Sequence, residues 1–206
     1  MENSRAYNLF IEQLHATGTK KMDGYYPRLM EEIYDWERPE IEDIIWKTFC
    51  ENGDSDLAVF LPILKRYQGK NKLDEMIENS DIPSERSMLF ATILYETYLE
   101  DSYLDIIKKN IELEPENLSF VSKLVNCRPD SNIYRLLVEL YINSSNDIVR
   151  STAVTGILYN KGIISDPLDL TEMINSLDIA KEFEEDDISK RREIISKFEE
   201  KTGADL

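Results

Sequence analysis

Glycine and proline are scarce in this sequence, with seven of each among 206 residues. A fold of many β-strands needs more of both, because its strands are joined by tight turns. Apolar residues make up 42% of the chain, which is enough to bury a core and more than a disordered chain contains. The composition therefore predicts a folded protein that is mainly helical.

Histidine and cysteine are almost absent. His15 is the only histidine, whereas zinc and di-iron sites commonly need two or more imidazoles or a cluster of cysteines. Because His15 follows an apolar stripe, we expect it to end a helix, where the helix dipole favours a cation. Cys50 and Cys127 are far apart and predict two buried thiols in a reducing compartment. We predict no metal and no cofactor.

Motifs of catalysis are missing as well. The chain contains none of the glycine-rich patterns GxGxxG, GxxxxGK[ST] and GxSxG that mark nucleotide sites and hydrolases. Pairs of carboxylates are abundant, but acid/base catalysis needs perturbed pKa values in a cleft, and no pattern here indicates one. The carboxylates of residues 31–43 are expected to form a solvated helical face. We predict that the chain is not an enzyme.

Basic residues are greatly outnumbered, since 24 Lys and Arg face 41 Asp and Glu and give a formal net charge of −17. Nucleic acids and anionic membranes would be repelled by such a surface, so we expect neither as a ligand. Opposite charges steer and speed encounter, and the predicted partner is therefore a cationic protein. The alternative is that the acidity only aids solubility.

Targeting signals are not evident in the sequence. Residues 1–5 lack the basic and then apolar pattern of a signal peptide, and uncharged runs such as residues 87–95 are too short to span a bilayer. These features predict a cytoplasmic protein.

Apolar residues recur at helical spacing along nearly the whole chain, for example in residues 41–49, 133–141 and 170–177. Ser84 and Asp130 stand where their side chains can cap helices, and Gly53 stands where a helix can end. Short connections make neighbouring helices antiparallel. We predict an all-α fold, with a single domain over residues 1–206 built from antiparallel helix hairpins.

One segment carries a repeat signature. In residues 133–161, Asp147, Arg150 and Ala153 are spaced as in the second helix of a HEAT repeat. The chain resembles that family, in which the Asp and Arg stitch neighbouring repeats together and the small residue allows close helix contact. The resemblance implies a short HEAT-like α-solenoid, with those roles at Asp147, Arg150 and Ala153. A compact irregular helical bundle is the alternative.

A small acidic chain of this type also resembles bacterial immunity proteins, which neutralise a cognate toxin, often a basic nuclease, by covering its active site. Size, charge and repeat type carry this resemblance. It implies a protein-binding inhibitor of a basic, nuclease-like toxin that acts by occluding the active site. The alternative function is a helical-repeat scaffold or adaptor that binds a peptide or regulatory protein along a groove. The oligomeric state stays open.

Two acidic segments are candidates for the partner-binding surface. In residues 25–36 the carboxylates are interleaved with tyrosine and tryptophan, which anchor interfaces and attract cations to their ring faces, unless they belong to the core. Residues 182–187 could grip a basic surface or form an acidic linker or cap, balanced by residues 190–192. The predicted partner-binding residues are Tyr25, Tyr26, Glu31, Glu32, Asp35, Trp36, Glu182, Glu184, Glu185, Asp186 and Asp187.

Overall fold

The computed structural model describes residues 2–17, 25–26 and 28–203. Within these ranges the chain forms twelve α-helices and one 3-10 helix and contains no β-strand, so the predicted all-α fold is confirmed. None of the described helices is long and apolar enough to cross a membrane.

The chain divides into two compact units, Met1–Asn79 and Ser80–Leu206, called here the N-terminal unit and the C-terminal unit. Each has its own buried apolar side chains, such as Phe10 and Ile41 in the first and Leu137 and Ile157 in the second. The single domain expected over residues 1–206 stays a prediction.

The N-terminal unit is built around the 3-10 helix, which packs against helices on both sides of it in the sequence. Its described helices are α1 (Arg5–Leu14), α2 (Leu29–Glu32), α3 (Arg38–Asn52), the 3-10 helix (Ser55–Ile63) and α4 (Gly69–Glu78). Helix α3 ends at Gly53, which has a φ of 65° and confirms the predicted stop. A side chain at Gly69 would meet the Leu61 carbonyl oxygen at 1.9 Å, so only glycine fits there.

Two carboxylates of this unit are fully buried, which corrects the expected solvated face over residues 31–43. Glu37 accepts hydrogen bonds from the backbone N–H of Ser4 at 2.7 Å and of Tyr34 at 2.8 Å. Glu42 accepts from the N–H groups of Lys65 and Arg66, both at 3.0 Å. Each carboxylate therefore satisfies backbone donors that lie outside the helices.

The C-terminal unit is a set of packed helix pairs. Its helices are α5 (Glu85–Tyr98), α6 (Asp101–Leu113), α7 (Leu118–Val125), α8 (Ser131–Asn143), α9 (Asp147–Asn160), α10 (Leu170–Asn175), α11 (Leu177–Lys181) and α12 (Ile188–Thr202). Ser84 caps α5 and Asp130 caps α8 with their side-chain oxygens, as predicted. Helix α5 packs on α6, α9 packs on both α7 and α8, and α12 packs on α8.

The contact between α8 and α9 is close because Gly156 has no side chain. A Cβ atom there would approach Leu137 Cδ1 to 2.7 Å and Val125 Cγ2 to 3.0 Å. Ala153, one turn earlier on α9, is also fully buried. Small residues on one face of α9 therefore let the helices approach each other closely.

Candidate functional site

A groove of about 1090 Å³ runs along α9 in the C-terminal unit. Its lining comes from α9, the end of α7 and Tyr141 of α8, from residues 164–181, and from residues 183–186. The chain leaves α9 at Asn160 and comes back to its beginning, where Asp186 bonds Arg150 at 2.9 Å. Residues 164–186 therefore return along α9 and enclose the groove with it.

Helices α10 and α11 form an uncovered apolar wall, because neither of them contains a buried residue. We define the apolar wall by four side chains with large exposed fractions: Leu168 (73%), Leu170 (71%), Ile174 (65%) and Leu177 (49%). Ile148, in the first turn of α9, is exposed and lines the same groove. Neighbouring exposed apolar side chains of this size are typical of an interaction site.

The floor of the groove carries hydroxyl groups that are already satisfied. Thr152 and Ser151 donate to the Ile148 carbonyl at 2.7 and 3.1 Å, and Thr155 donates to the Ser151 carbonyl at 3.3 Å. Because each hydroxyl is bonded to the backbone of its own helix, none of the three needs a polar partner from a ligand. The floor therefore suits an apolar surface.

One end of the groove is acidic. We define the acidic end by four carboxylates that line the groove: Asp147, Glu184, Glu185 and Asp186. Two bases line the groove as well, Arg150 and Lys181. Arg150 pairs with both Asp147 and Asp186 while donating to the Ser145 carbonyl at 3.1 Å. Both aspartates stay exposed, so the acidic end keeps an excess of negative charge toward solvent.

The predicted acidic segment 182–187 also has structural contacts of its own. Glu182 pairs with Lys201 at 3.0 Å, and Asp187 caps α12 by accepting from the N–H groups of Ser189 and Lys190. Glu184 makes no ion pair with any residue in the described ranges. The expected cap is therefore present, and the partner-binding role of these five residues stays a prediction.

Glu185 holds the loop before α12. Its carboxylate accepts from the N–H groups of Asp186 at 2.9 Å and Asp187 at 3.0 Å, and it lies 3.4 Å from the Lys190 ammonium. The hydrogen bond from Asp187 is the main cause that lowers the pKa of Glu185, with Lys190 acting in the same direction. Glu185 is therefore ionised, and its hydrogen bonds hold the backbone of Asp186 and Asp187 in place.

Arg191 is a key positioning residue that the sequence analysis missed. Its side chain is buried, with the residue 4% exposed, and donates to backbone carbonyls from two parts of the chain. The acceptors are the carbonyls of Tyr141, Ile142, Ser144, Glu185 and Asp186, at 2.7–3.2 Å. The spacing to buried Ile195 and Phe198, four and seven residues later, was an available signal that Arg191 faces inward.

In the N-terminal unit, two of the predicted tyrosines have local structural contacts. The Tyr25 ring lies 5.5 Å from that of Phe10 and 6.3 Å from that of Phe60, and its hydroxyl donates to Asp54 at 3.1 Å. Burial is the main cause that raises the pKa of Tyr25. Tyr26 donates to Glu32 at 2.6 Å. Tyr25 therefore packs with core aromatic residues, as the alternative interpretation expected.

Residues 31–36, called here the aromatic turn, are exposed except for the buried Ile33. Tyr34 and Trp36 stack with ring centroids 6.1 Å apart and are 51% and 48% exposed. Glu31 and Asp35 are exposed beside them in the sequence. Burial alone would raise the pKa of Glu37, but hydrogen bonds from Ser4 and Tyr34 outweigh it, and the pKa is lowered. The ionised Glu37 thus holds the aromatic turn in place by accepting the hydrogen bond from the N–H of Tyr34.

No group of three or more His, Cys, Asp or Glu suited to a metal ion occurs in the part of the chain that the structure describes. His15 is the C-cap residue of α1, as expected. Both cysteines are free thiols, and Cys127 is buried, but Cys50 is exposed, so the expectation of two buried thiols is wrong for Cys50. Cys50 sits near the end of α3, where the apolar face of that helix is formed by Ile41, Ile45 and Phe49.

No family model, no curated protein and no solved structure matches this chain. The groove and the aromatic turn are therefore interpreted from their own geometry and charge.

Proposed function

We propose that this chain is a non-catalytic protein that binds a cationic protein partner in the groove of its C-terminal unit. The observation that carries the proposal is the apolar wall, where four large side chains stay exposed next to an acidic end. Apolar side chains in contact with water favour burial by a partner. The adjacent carboxylates favour a partner of positive charge.

The open wall favours a protein over a small molecule. Small-molecule sites enclose most of their ligand, whereas the apolar wall of this groove, whose volume of about 1090 Å³ lies at the upper end of their range, is open to solvent. Nucleic acid is disfavoured, because the chain has a net charge of −17 and the acidic end would repel phosphate. In this form of the proposal, the chain is a scaffold or adaptor that binds a peptide or regulatory protein along the groove.

A second form of the proposal is an inhibitor, an immunity protein that occludes the active site of a basic, nuclease-like toxin. The aromatic turn favours it, because the Tyr34 and Trp36 rings can contact lysine and arginine side chains beside exposed carboxylates. The HEAT-like interpretation is supported by Arg150, which joins α9 to Asp186 of the following segment, and by buried Ala153. Both forms share a cytoplasmic cationic partner.

The experiment that tests the groove is affinity capture with the full chain at about 50 mM and about 500 mM sodium chloride. The bait is compared with the Leu170→Glu/Ile174→Glu variant, which adds negative charge to the apolar wall. The Leu113→Glu variant is the matched control, since Leu113 is an exposed leucine of the same unit outside the groove. Captured proteins are identified by mass spectrometry.

The proposal expects a basic protein that the wild type and Leu113→Glu both retain and that Leu170→Glu/Ile174→Glu loses. A partner that all three baits retain equally would contradict the groove, and capture of nucleic acid would contradict the proposal as a whole. The two forms are separated by the salt dependence: the adaptor keeps its partner in high salt through apolar contacts, whereas the charge-steered inhibitor binds more slowly there.

The inhibitor form has its own test. The captured partner is expressed alone and together with this chain, and growth of the host and nuclease activity are measured. An immunity protein restores growth and suppresses the activity, and Tyr34→Ala/Trp36→Ala reduces both effects while Tyr34→Phe/Trp36→Phe, which keeps the ring faces, does not. A partner that is harmless when expressed alone would contradict this form and leave the adaptor.

A further inference from the structure

We infer that the segment held in the groove is an amphipathic α-helix of about nine residues whose basic residues lie at the acidic end. This inference rests on the proposed function and adds the secondary structure, length and direction of the partner segment.

The length follows from the extent of the groove along its floor. Along its floor, the lining of α9 extends from Asp147 to Leu158, which is about 16 Å of helix. This floor fits two to three turns of a helix that lies along it.

The backbone of the groove favours a helix over an extended peptide. An added strand needs a row of free N–H and C=O groups along an exposed edge. Here the floor is α9, whose backbone groups are bonded within the helix, and the hydroxyls of Ser151, Thr152 and Thr155 are bonded to it as well. A helix satisfies its own backbone and needs only an apolar face, with anchors at i, i+3, i+4 and i+7.

The direction follows from the charges. Asp147 and Asp186 lie at the start of α9, and Glu184 precedes Asp186 by two residues, whereas the opposite end is lined by Ile164, Pro167 and Leu168. Lysine or arginine at one end of the partner helix would meet the carboxylates, and apolar residues would meet the far end. A second copy of this chain is disfavoured, because two copies with a net charge of −17 would bring two acidic ends together.

The test uses the full chain and a synthetic peptide of about twelve residues with leucine at i, i+3, i+4 and i+7 and three lysines clustered at one end. Fluorescence anisotropy is expected to give a dissociation constant on the order of 10 µM. Leu170→Glu/Ile174→Glu is expected to weaken binding at least about tenfold, although it adds negative charge, and Leu113→Glu is expected to bind like the wild type.

Two further peptides separate the parts of the inference. An isomer with a central proline cannot form the helix and is expected to bind at least about tenfold more weakly. A photo-crosslinker at the lysine end is expected to label the segments around Asp147 and Asp186. Circular dichroism of the bound peptide is expected to show added helix.

Each contrary result overturns a stated part. Equal binding of the proline isomer would overturn the helix and leave the groove. Labelling near Ile164 or Leu168 would overturn the direction. Equal binding to Leu170→Glu/Ile174→Glu would show attachment by charge alone and overturn the inference, while the capture experiment decides the proposed function separately. A dimer in sedimentation that Leu170→Glu/Ile174→Glu dissociates would make a second copy the occupant and overturn both.

Discussion

Two parts of the C-terminal unit have the same spacing of apolar residues, but the side chains are buried in one part and exposed in the other. In α8, Ile133, Leu137 and Leu140 follow helical spacing and are buried. In α10 and α11, Leu170, Ile174 and Leu177 follow the same spacing and stay about half exposed or more. Both stretches form helix, so the pattern predicted secondary structure in both, and the difference lies in what covers the apolar side.

The difference has a physical reason in length and neighbours. Helices α8 and α9 have 13 and 14 residues and pack on each other, with α7 and α12 against their other sides. Helices α10 and α11 have six and five residues, which is too short for stability without tertiary contacts. The exposed apolar side chains of α10 and α11 would be stabilised if they were removed from water, so this stripe is available to bind a ligand.

The strongest test of this comparison is the matched pair Leu137→Ala and Leu170→Ala. Leu137 is fully buried, so we expect the first change to lower the free energy of unfolding by about 3–4 kcal/mol. Leu170 is 71% exposed, and we expect the second to cost less than about 0.5 kcal/mol. Urea denaturation measures both. A large loss from Leu170→Ala would mean that the apolar wall is covered within the chain.

Arg191→Ala is expected to give the next largest effect, a loss of about 2–3 kcal/mol, because buried carbonyls of α8 and of residues 185–186 lose their donor. Arg192→Ala is the matched control, since Arg192 is exposed, and should cost less than about 0.5 kcal/mol. Thermal or urea unfolding measures the loss. Equal effects of the two changes would contradict the positioning role of Arg191.

The fold was predictable where the determining interactions are local in sequence. Helix stripes, the caps Ser84 and Asp130 and the stop at Gly53 involve residues within a few positions of each other. The sequence therefore predicted the all-α fold and several of its boundaries. The Asp147–Arg150 pair is also local, but it was not predicted, because the HEAT resemblance assigned both residues to contacts between neighbouring repeats.

The candidate site was predictable only in part, because the burial of a side chain depends on residues that are distant in the sequence. The buried Glu37 accepts a hydrogen bond from the N–H of Ser4, which is 33 positions away in the sequence. The buried Glu42 accepts from the N–H groups of Lys65 and Arg66. No pattern around either glutamate indicates those donors. The apolar wall was missed for the converse reason: a stripe indicates an apolar face, but the sequence does not show that the described chain leaves this face about half exposed or more.

Helix caps extend the comparison to a smaller effect. Asn146 caps α9 by accepting from the N–H of Ile148 at 2.9 Å, and Asp169 caps α10 by accepting from that of Thr171 at 2.7 Å. We expect Asn146→Ala to lower the free energy of unfolding by about 1 kcal/mol. Asp169→Ala should speed hydrogen exchange within α10 with little change in global unfolding. An equal global loss from both changes would show that α10 unfolds together with α9.

The smallest expected effect concerns pH at the acidic end. Because hydrogen bonds and Lys190 lower the pKa of Glu185 in the folded chain, its contribution to stability is complete above the ordinary glutamate pKa of about 4.3 and is lost as pH falls through the lowered value. Glu185→Gln should therefore be slightly less stable than the wild type at neutral pH, and the gap should close toward pH of about 3. Glu184→Gln removes the same charge without breaking a described hydrogen bond, so it should show no such gap. Urea unfolding between these pH values measures the stability of both variants. A gap of the same size for Glu184→Gln would mean that net charge alone sets the stability of the acidic end, and not the hydrogen bonds from Asp186 and Asp187.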